Sequence, residues 1–427
     1  MAHPLIIAST IIFLYYVVFR ILKLTDQPVK PFLKYLDSKF NRNVLKVCEI
    51  LNKPYVPPFL WGRCGHIQTI LYAKFGRFQC PLPRGTRRSV IMPDGATQTF
   101  DIFEPHCRHV SGGDITLCVC PGIANSSEKK YVRTFVDYSQ NQGYRVAVLN
   151  HIGALESVPI TSPRIFTYGD TEEYDAMIQF VREHYPQSTL VSIGFSMGAN
   201  IVVKYLGAEP HRQKYFLCAL SVCQGYDCTR ALDVLHEWES GRRIYNFMMT
   251  MNMLKHIRRN LNMLAGEGAK QFWQKNGLKP INYNVDKILS ATSLCHIDEH
   301  LSRRMVGFPD IMGYYEDCSS INHLRKIQIP ILLLHSEDDF LVPPKYNKCP
   351  LDYVDKAPNA IFAQTKHGGH LGFFEGGILK ANTYSWLEKA VVGYVDAVYE
   401  VAVQQGIFPV IHDKLESSGN NCKIERS

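Results

Sequence analysis

No two cysteines of this chain stand in C-x-x-C spacing, although it holds 13 of them. Scattered and odd in number, they argue for neither a zinc site nor a disulfide framework. Cys118 and Cys120 lie inside an apolar run and read as small core residues. No basic patch with interleaved aromatics occurs, which sets nucleic acid aside as a partner. Repeats and low-complexity tracts are missing too, and no residue pattern calls for a metal or a cofactor. With 46% hydrophobic and 20% charged residues, the composition excludes a disordered chain. A length of 427 residues allows one large domain with an insertion, or two domains, with ample core. The net charge of +8 is modest, and part of it gathers near the N-terminus in Arg20, Lys23, Lys30, Lys34, Lys39, Arg42 and Lys46.

One uncharged run stands out, LIIASTIIFLYYVVF from Leu5 to Phe19. Extended to Leu24 it reaches roughly the twenty residues a bilayer span needs, with Arg20 and Lys23 snorkelling to the interface. It lacks the basic n-region and small-x-small site of a cleaved signal peptide. The expectation is a retained single-pass anchor, or an interfacial helix, over residues 1–25. That places the protein in the cell membrane or the endoplasmic reticulum, with the bilayer as a partner. A basic, Pro-punctuated membrane-proximal segment then runs over 26–87. Its charge favours a cytoplasmic side for the rest of the chain.

From residue 88 the rhythm is that of an α/β protein. RSVIMPDGATQTFDIFE (88–104) is two β-type runs around Pro93-Asp94-Gly95, so a hairpin is expected. Short apolar runs follow at 115–122, 144–151, 189–196 and 215–222, separated by helix-compatible stretches at 128–141, 170–184 and 197–207. Such alternation points to a mostly parallel sheet covered by helices on both faces. The order breaks over 229–325, a helix-prone insertion rich in methionine and aromatics around RRIYNFMMTMNML. It divides a core of 88–228 from a second part at 326–410 and reads as a lid, with Phe247 and Met248 meeting acyl chains. Strand-like runs resume at 329–339 and 360–370, a helix closes the core near 383–404, and 411–427 reads as a flexible tail.

The stretch VSIGFSMGAN (191–200) decides the chemistry. Chance alone would place G-x-S-x-G in a chain this long about one time in seven, so context must carry it. Ser196 falls where a strand composition gives way to a helix composition. A sharp elbow there needs small neighbours, which Gly194 and Gly198 supply. An acid and a base must follow in that order. The run ILLLHSEDDFLVPP ends in Glu337, Asp338 and Asp339, and the Asp-x-x-Val-Pro spacing favours Asp339 over Asp338. About thirty residues on, HGGHLGFFE offers His370 after two glycines, with His367 as a local packing histidine. His370 would take the serine proton, and Asp339 would hold the imidazole in orientation. The backbone amide of Met197 and one from CPGIANSS, that of Ile123 or Gly122, would form the oxyanion hole.

The chain resembles the α/β-hydrolase domain-containing proteins of the one/two/three subfamily. The residues that carry this are GHIQTI (65–70), PGIANSSEK (121–129), NHIGAL (150–155), TSPRIFTYGDT (161–171), GFSMGANIV (194–202), SVCQGY (221–226), ATSL (291–294) and the loop around His370. Together they span nearly the whole chain. The resemblance implies an α/β-hydrolase fold and serine hydrolysis of acyl esters of membrane lipids, notably monoacylglycerols. It places nucleophile, acid and base on Ser196, Asp339 and His370. It also implies an N-terminal anchor and, with no residue here to carry it, a steroid ligand. Phe340 departs from the proline the subfamily tends to have and alters the stiffness of the acid loop. Asn125-Ser126-Ser127 is a glycosylation sequon, and the resemblance suggests a glycan on Asn125. That would require a lumenal or extracellular domain, against the basic flank. Two other functions compete with the hydrolase. One is a lipid acyltransferase on the same nucleophile, since His370-x4-Glu375 comes close to the H-x4-D motif but carries glutamate. The other is a membrane-tethered lipid or steroid receptor with secondary esterase activity.

Overall fold

The apolar runs after residue 114 are buried along their whole length, and only a sheet covered on both faces can bury them so. In the computed structural model, which describes residues 4–76 and 81–406, the strands are Phe32–Lys34 (β1), Thr86–Ile91 (β2), Thr97–Phe103 (β3), Ile115–Cys120 (β4), Arg145–Asn150 (β5), Thr189–Phe195 (β6), Phe216–Val222 (β7), Ile331–Ser336 (β8) and Ala360–Thr365 (β9). They form one sheet in the order β1-β9-β8-β7-β6-β4-β5-β3-β2. Strands β4 to β9 run parallel, while β1 and the β2–β3 hairpin add antiparallel edges. The hairpin turns at Gly95, whose φ of +79° suits glycine.

Side chains alternate between two core layers, as a strand period of two demands. Cys118 and Cys120 face one layer with Met177, Ile178, Ile201 and Leu206. Leu117 and Val119 face the other with Val132, Phe135, Trp386 and Val395. The helices Glu172–His184 and Met197–Ala208 thus cover the first face, and Lys130–Asn141 and Trp386–Gln405 the second. Between β7 and β8 the insertion is helical as expected, dominated by Arg242–Ala265 over 24 residues. The proposed tail at 411–427 lies outside the described residues.

The expectation of a membrane-crossing anchor is overturned. Among the described residues, no helix is long and apolar enough to cross a membrane. The apolar run is α-helical only from Pro4 to Tyr16, 13 residues, and a π-type turn, Val17–Ile21, ends it. At 1.5 Å per residue the α-helix covers about 20 Å, short of the roughly 30 Å of a hydrocarbon core. Lys23 then turns the chain at φ +50°, and Arg63 Nη1 donates to the Leu24 carbonyl at 2.6 Å. A single-pass anchor over 1–25 is therefore not supported. The segment after it is woven into the body. β1 pairs with β9, and Val44, Leu45 and Leu51 are buried in the second core layer.

Inside the insertion, burial pushes the carboxyl of Asp298 up to about 6, and the Tyr315 hydroxyl donates to it at 2.8 Å. Asp298 is half-buried and lines a cavity together with Tyr315. A raised carboxyl pKa means the folded state holds the proton more tightly than the unfolded one. Stability is therefore lost as pH rises from about 4 to about 6. Asp298→Asn mimics the protonated group. It should match the wild type at pH 4 and exceed it at pH 7 by on the order of 2 kcal/mol, a Tm gain of a few degrees. Equal Tm shifts at both pH values would refute this.

Candidate active site

Ser196 stands alone between the end of β6 and the start of the Met197–Ala208 helix, at φ +54° and ψ −119°. Its N–H donates to the Val222 carbonyl at 2.8 Å, which ties the elbow to β7. The two flanking glycines are steric requirements. A Cβ at Gly198 would lie 2.0 Å from the Cys120 carbonyl oxygen, and one at Gly194 would lie 2.3 Å from the Ala199 Cα. The elbow fits only because nothing projects from either side.

The loops after β8 and β9 bring Asp339 and His370 to it. His370 Nε2 is 2.8 Å from Ser196 Oγ, and His370 Nδ1 is 2.8 Å from Asp339 Oδ2. The other carboxylate oxygen, Oδ1, accepts the N–H groups of Leu341 and Val342, each at 2.9 Å. Asp339 and His370 are buried. The competitors are engaged elsewhere. Asp338 Oδ1 accepts from Ser336 Oγ at 2.5 Å and from the Gly369 N–H at 2.8 Å, bracing the histidine loop. His367 lies between Asp338 and Asp26, at 3.6 and 3.4 Å. Glu337 is exposed, and Glu375 is paired with Lys389, so the His370-x4-Glu375 spacing brings no second acid to the serine.

The loop after β4 carries the amides of Gly122 and Ile123. The Gly122 N–H donates to Tyr131 Oη at 3.1 Å, so it is spent. Those of Ile123 and Met197 make no hydrogen bond among the described residues, and both residues line the cavity over Ser196. Asn150 Oδ1 accepts from the Ser127 N–H at 2.9 Å, and His151 Nε2 meets the Pro121 carbonyl at 3.0 Å, which fixes this loop. Asn125 Nδ2, the atom a glycan would occupy, donates to Tyr131 Oη at 3.3 Å inside the same loop. Ser127 is buried against Asp101.

Sequence reasoning missed the supports. In the helix Gly65–Phe75, Thr69 Oγ1 accepts the His370 N–H at 2.8 Å, and Gln68 Oε1 accepts that of Phe374 at 2.8 Å. GHIQTI is thus the platform of the histidine loop, a role that only contact over some 300 positions reveals. Beneath the site, burial holds the His335 imidazole down to about 4, so it stays neutral, and the Tyr226 hydroxyl is 3.2 Å from its Nε2. Cys223, Asp339 and His370 offer ligand atoms within 4.8 Å of one another. The Asp339–His370 hydrogen bond already occupies two of them.

Two chambers meet at Ser196 and His370. One, of about 140 Å³, is lined by Val234, Leu235, Leu294 and Leu341 together with Asp227, Arg230 and Asp298. The other, of about 480 Å³, opens past Thr69, Asn125 and Lys129. The insertion helix Arg242–Ala265 contributes Met249 to both and Tyr245, Met248 and Asn252 to the larger one. Phe247 lines neither chamber and is exposed, as is Met248 at the mouth of the larger one.

The chain matches the alpha/beta hydrolase fold family over residues 115–377, more than half its length. Monoacylglycerol lipase ABHD2 of Danio rerio is 45% identical over 412 residues, covering 96% of this chain and 93% of the relative. The Homo sapiens protein of that name is 45% identical over 383 residues, 90% of this chain and 89% of the relative. Among solved structures, the Pyrococcus furiosus esterase Pf2001 is similar at 16% identity and a TM-score of 0.43, covering 75% of this chain and 91% of that one. With an elbow serine at the carboxyl edge of a mostly parallel sheet and relatives this similar over nearly its whole length, the chain belongs to the α/β-hydrolase family and is a hydrolase.

Proposed function

We propose that the protein cleaves acyl esters of lipids, monoacylglycerols first among them, through an acyl-enzyme on Ser196. The observation that carries this reading is the unbroken chain of hydrogen bonds from Ser196 Oγ through His370 to Asp339 on the floor of a partly apolar cavity. His370 Nε2 takes the hydroxyl proton as Oγ attacks the ester carbonyl. The N–H groups of Met197 and Ile123 receive the developing oxyanion. Asp339 stabilises the imidazolium and is kept aimed by the Leu341 and Val342 amides. The imidazolium then protonates the departing alcohol, and water repeats the sequence on the acyl-enzyme. The smaller chamber, in which Val234, Leu235, Leu294, Leu341 and Val342 stand beside Asp227, Arg230 and Asp298, is mostly apolar and suits the acyl chain, and the insertion that walls both chambers acts as a lid.

Ser196→Ala, Asp339→Asn and His370→Ala should each lower turnover of a monoacylglycerol by about 10³-fold or more, and double variants should be little worse than the single serine variant. Asp338→Asn keeps its oxygen acceptor and should retain most activity. Substantial turnover by Ser196→Ala would sink the mechanism.

Thr69 is read as a positioning residue. Thr69→Val removes the acceptor for the His370 amide and should lower kcat on the order of tenfold to a hundredfold with KM little changed. Thr69→Ser should restore it. Failure of the serine variant to rescue would make the effect one of packing.

For the lid, Met249→Ser, at the residue that walls the smaller chamber, should shift chain-length preference while short-ester turnover falls less. Equal loss on all chain lengths would show that the insertion only packs.

A further inference from the structure

The two chambers differ in charge, and that difference bears on the alcohol half of the substrate. The larger chamber has a mostly apolar wall that includes Ile70, Met248 and Leu371, and at its edge stand the exposed Lys74 and Lys130, the half-buried Lys129 and the carboxamides of Asn125 and Asn252. Its acidic lining residue, Glu128, is bound to Arg87 at 3.0 Å, and Arg87 also grips Asp101. Among the described residues, neither Lys74 nor Lys129 makes an ion pair. Lys129 is half-buried, so its unpaired ammonium is not fully repaid by water. The surrounding field is positive as well. The ammonium of Lys129 is held below its ordinary pKa by burial and by the charge of Lys255. His256 is pushed down to about 4 by burial and by Arg259, Lys129 and Lys255. Glu128 and Glu156 act on Lys129 in the opposite sense and offset part of this, although Lys255 and Arg259 also hold Glu156, at 3.2 and 3.5 Å. A neutral glycerol leaving group would answer none of these cations.

We infer that the larger chamber is a subsite for a phosphomonoester carried on the leaving alcohol, so that acylglycerol phosphates are substrates of the same serine. The inference rests on the ester-hydrolase reading above and names the head group it takes. Acyl chain and head group would then occupy the two chambers that meet at Ser196. The chemistry is unchanged. Ser196 Oγ bonds to the acyl carbon and the bond to the glycerol oxygen breaks. The proton taken by His370 goes to that oxygen, releasing glycerol 3-phosphate. Water then frees the fatty acid. Lys129 and Lys74 meet the phosphate oxygens as point charges, and Asn125 and Asn252 add neutral donors.

The experiment compares kcat/KM for 1-oleoylglycerol 3-phosphate and 1-oleoylglycerol in mixed micelles, using the full chain, Lys74→Gln/Lys129→Gln and Lys129→Arg. The double variant should lower the ratio of phosphorylated to neutral substrate about tenfold, and Lys129→Arg should keep it. Raising salt should lower the ratio for the wild type alone. A ratio unmoved by the double variant would overturn the subsite, as would a wild type that cleaves only the neutral ester. Competition by inorganic phosphate with no turnover of the phosphorylated ester would make the chamber a site for free phosphate and also overturn it. If neither ester is cleaved and a fluorophosphonate probe leaves Ser196 unlabelled, the hydrolase reading itself falls, which sets that failure apart.

Discussion

A serine at φ +54° and ψ −119° lies outside the regions where an L-residue rests comfortably, and the strain of such a residue is held only by its surroundings. Here the holding is done by contact at the elbow. Gly198 abuts the Cys120 carbonyl and Gly194 abuts the backbone of the helix that follows, while the serine N–H is bound to Val222. Three strands, β4, β6 and β7, are thereby locked to one residue. The loop that presents Ile123 leaves β4 beside the place where Gly198 packs. A Cβ at Gly122 would stand 3.6 Å from that of Ser196. The position of Ser196 and the position of the Ile123 amide beside it are therefore one constraint. A methyl group at Gly198 would disturb both.

The other half of the site is anchored from outside the sheet. β8 and β9 deliver the acid and histidine loops, but loops alone would leave the imidazole loose. The helix Gly65–Phe75 fills the gap beneath them. A Cβ at Gly65 would lie 2.3 Å from the Asp338 carbonyl oxygen, and one at Gly369 would lie 2.3 Å from the Gly65 carbonyl oxygen. That closeness lets Thr69 reach the His370 amide and Asp338 reach the Gly369 amide. Two of the three carboxylates at the end of β8 thus divide the work, Asp339 facing the imidazole and Asp338 facing the loop that carries it.

The core alternation from 115 to 222 was legible because parallel strands are buried on both faces and so read as unbroken apolar runs. Ser196, Asp339 and His370 each follow such a run, and the structure brings their side chains into one hydrogen-bonded row. What was hidden has a common physical cause. Thr69, Gln68 and β1 act on partners some 300 positions away, and no local period marks such contacts. The N-terminal run misled for another reason. Its composition is apolar enough for a span, but helix length depends on where the backbone leaves the α conformation, and the π-type turn at Val17–Ile21 does that within the run.

Phe340 illustrates how a departure from a motif can be compensated. A proline there would stiffen the acid loop by fixing φ. Phe340 instead is buried, with its ring 4.2 Å from His66 and 4.2 Å from Tyr245. His66 belongs to the platform helix under the histidine loop and Tyr245 to the insertion helix, and the two meet directly at 3.2 Å. Burial also holds the His66 imidazole below its ordinary pKa, so the stack is predominantly neutral at physiological pH. Arg242, buried at the start of the same insertion helix, reaches toward the Phe340 carbonyl at 3.5 Å and is neutralised by Glu237 and Glu239. Stiffness that a ring constraint would supply within the loop is supplied across it, by stacking between two separate elements. The consequence is mechanical. The loop bearing Asp339 cannot move without disturbing the insertion helix, so the acid and the wall of the substrate chambers are coupled through one side chain.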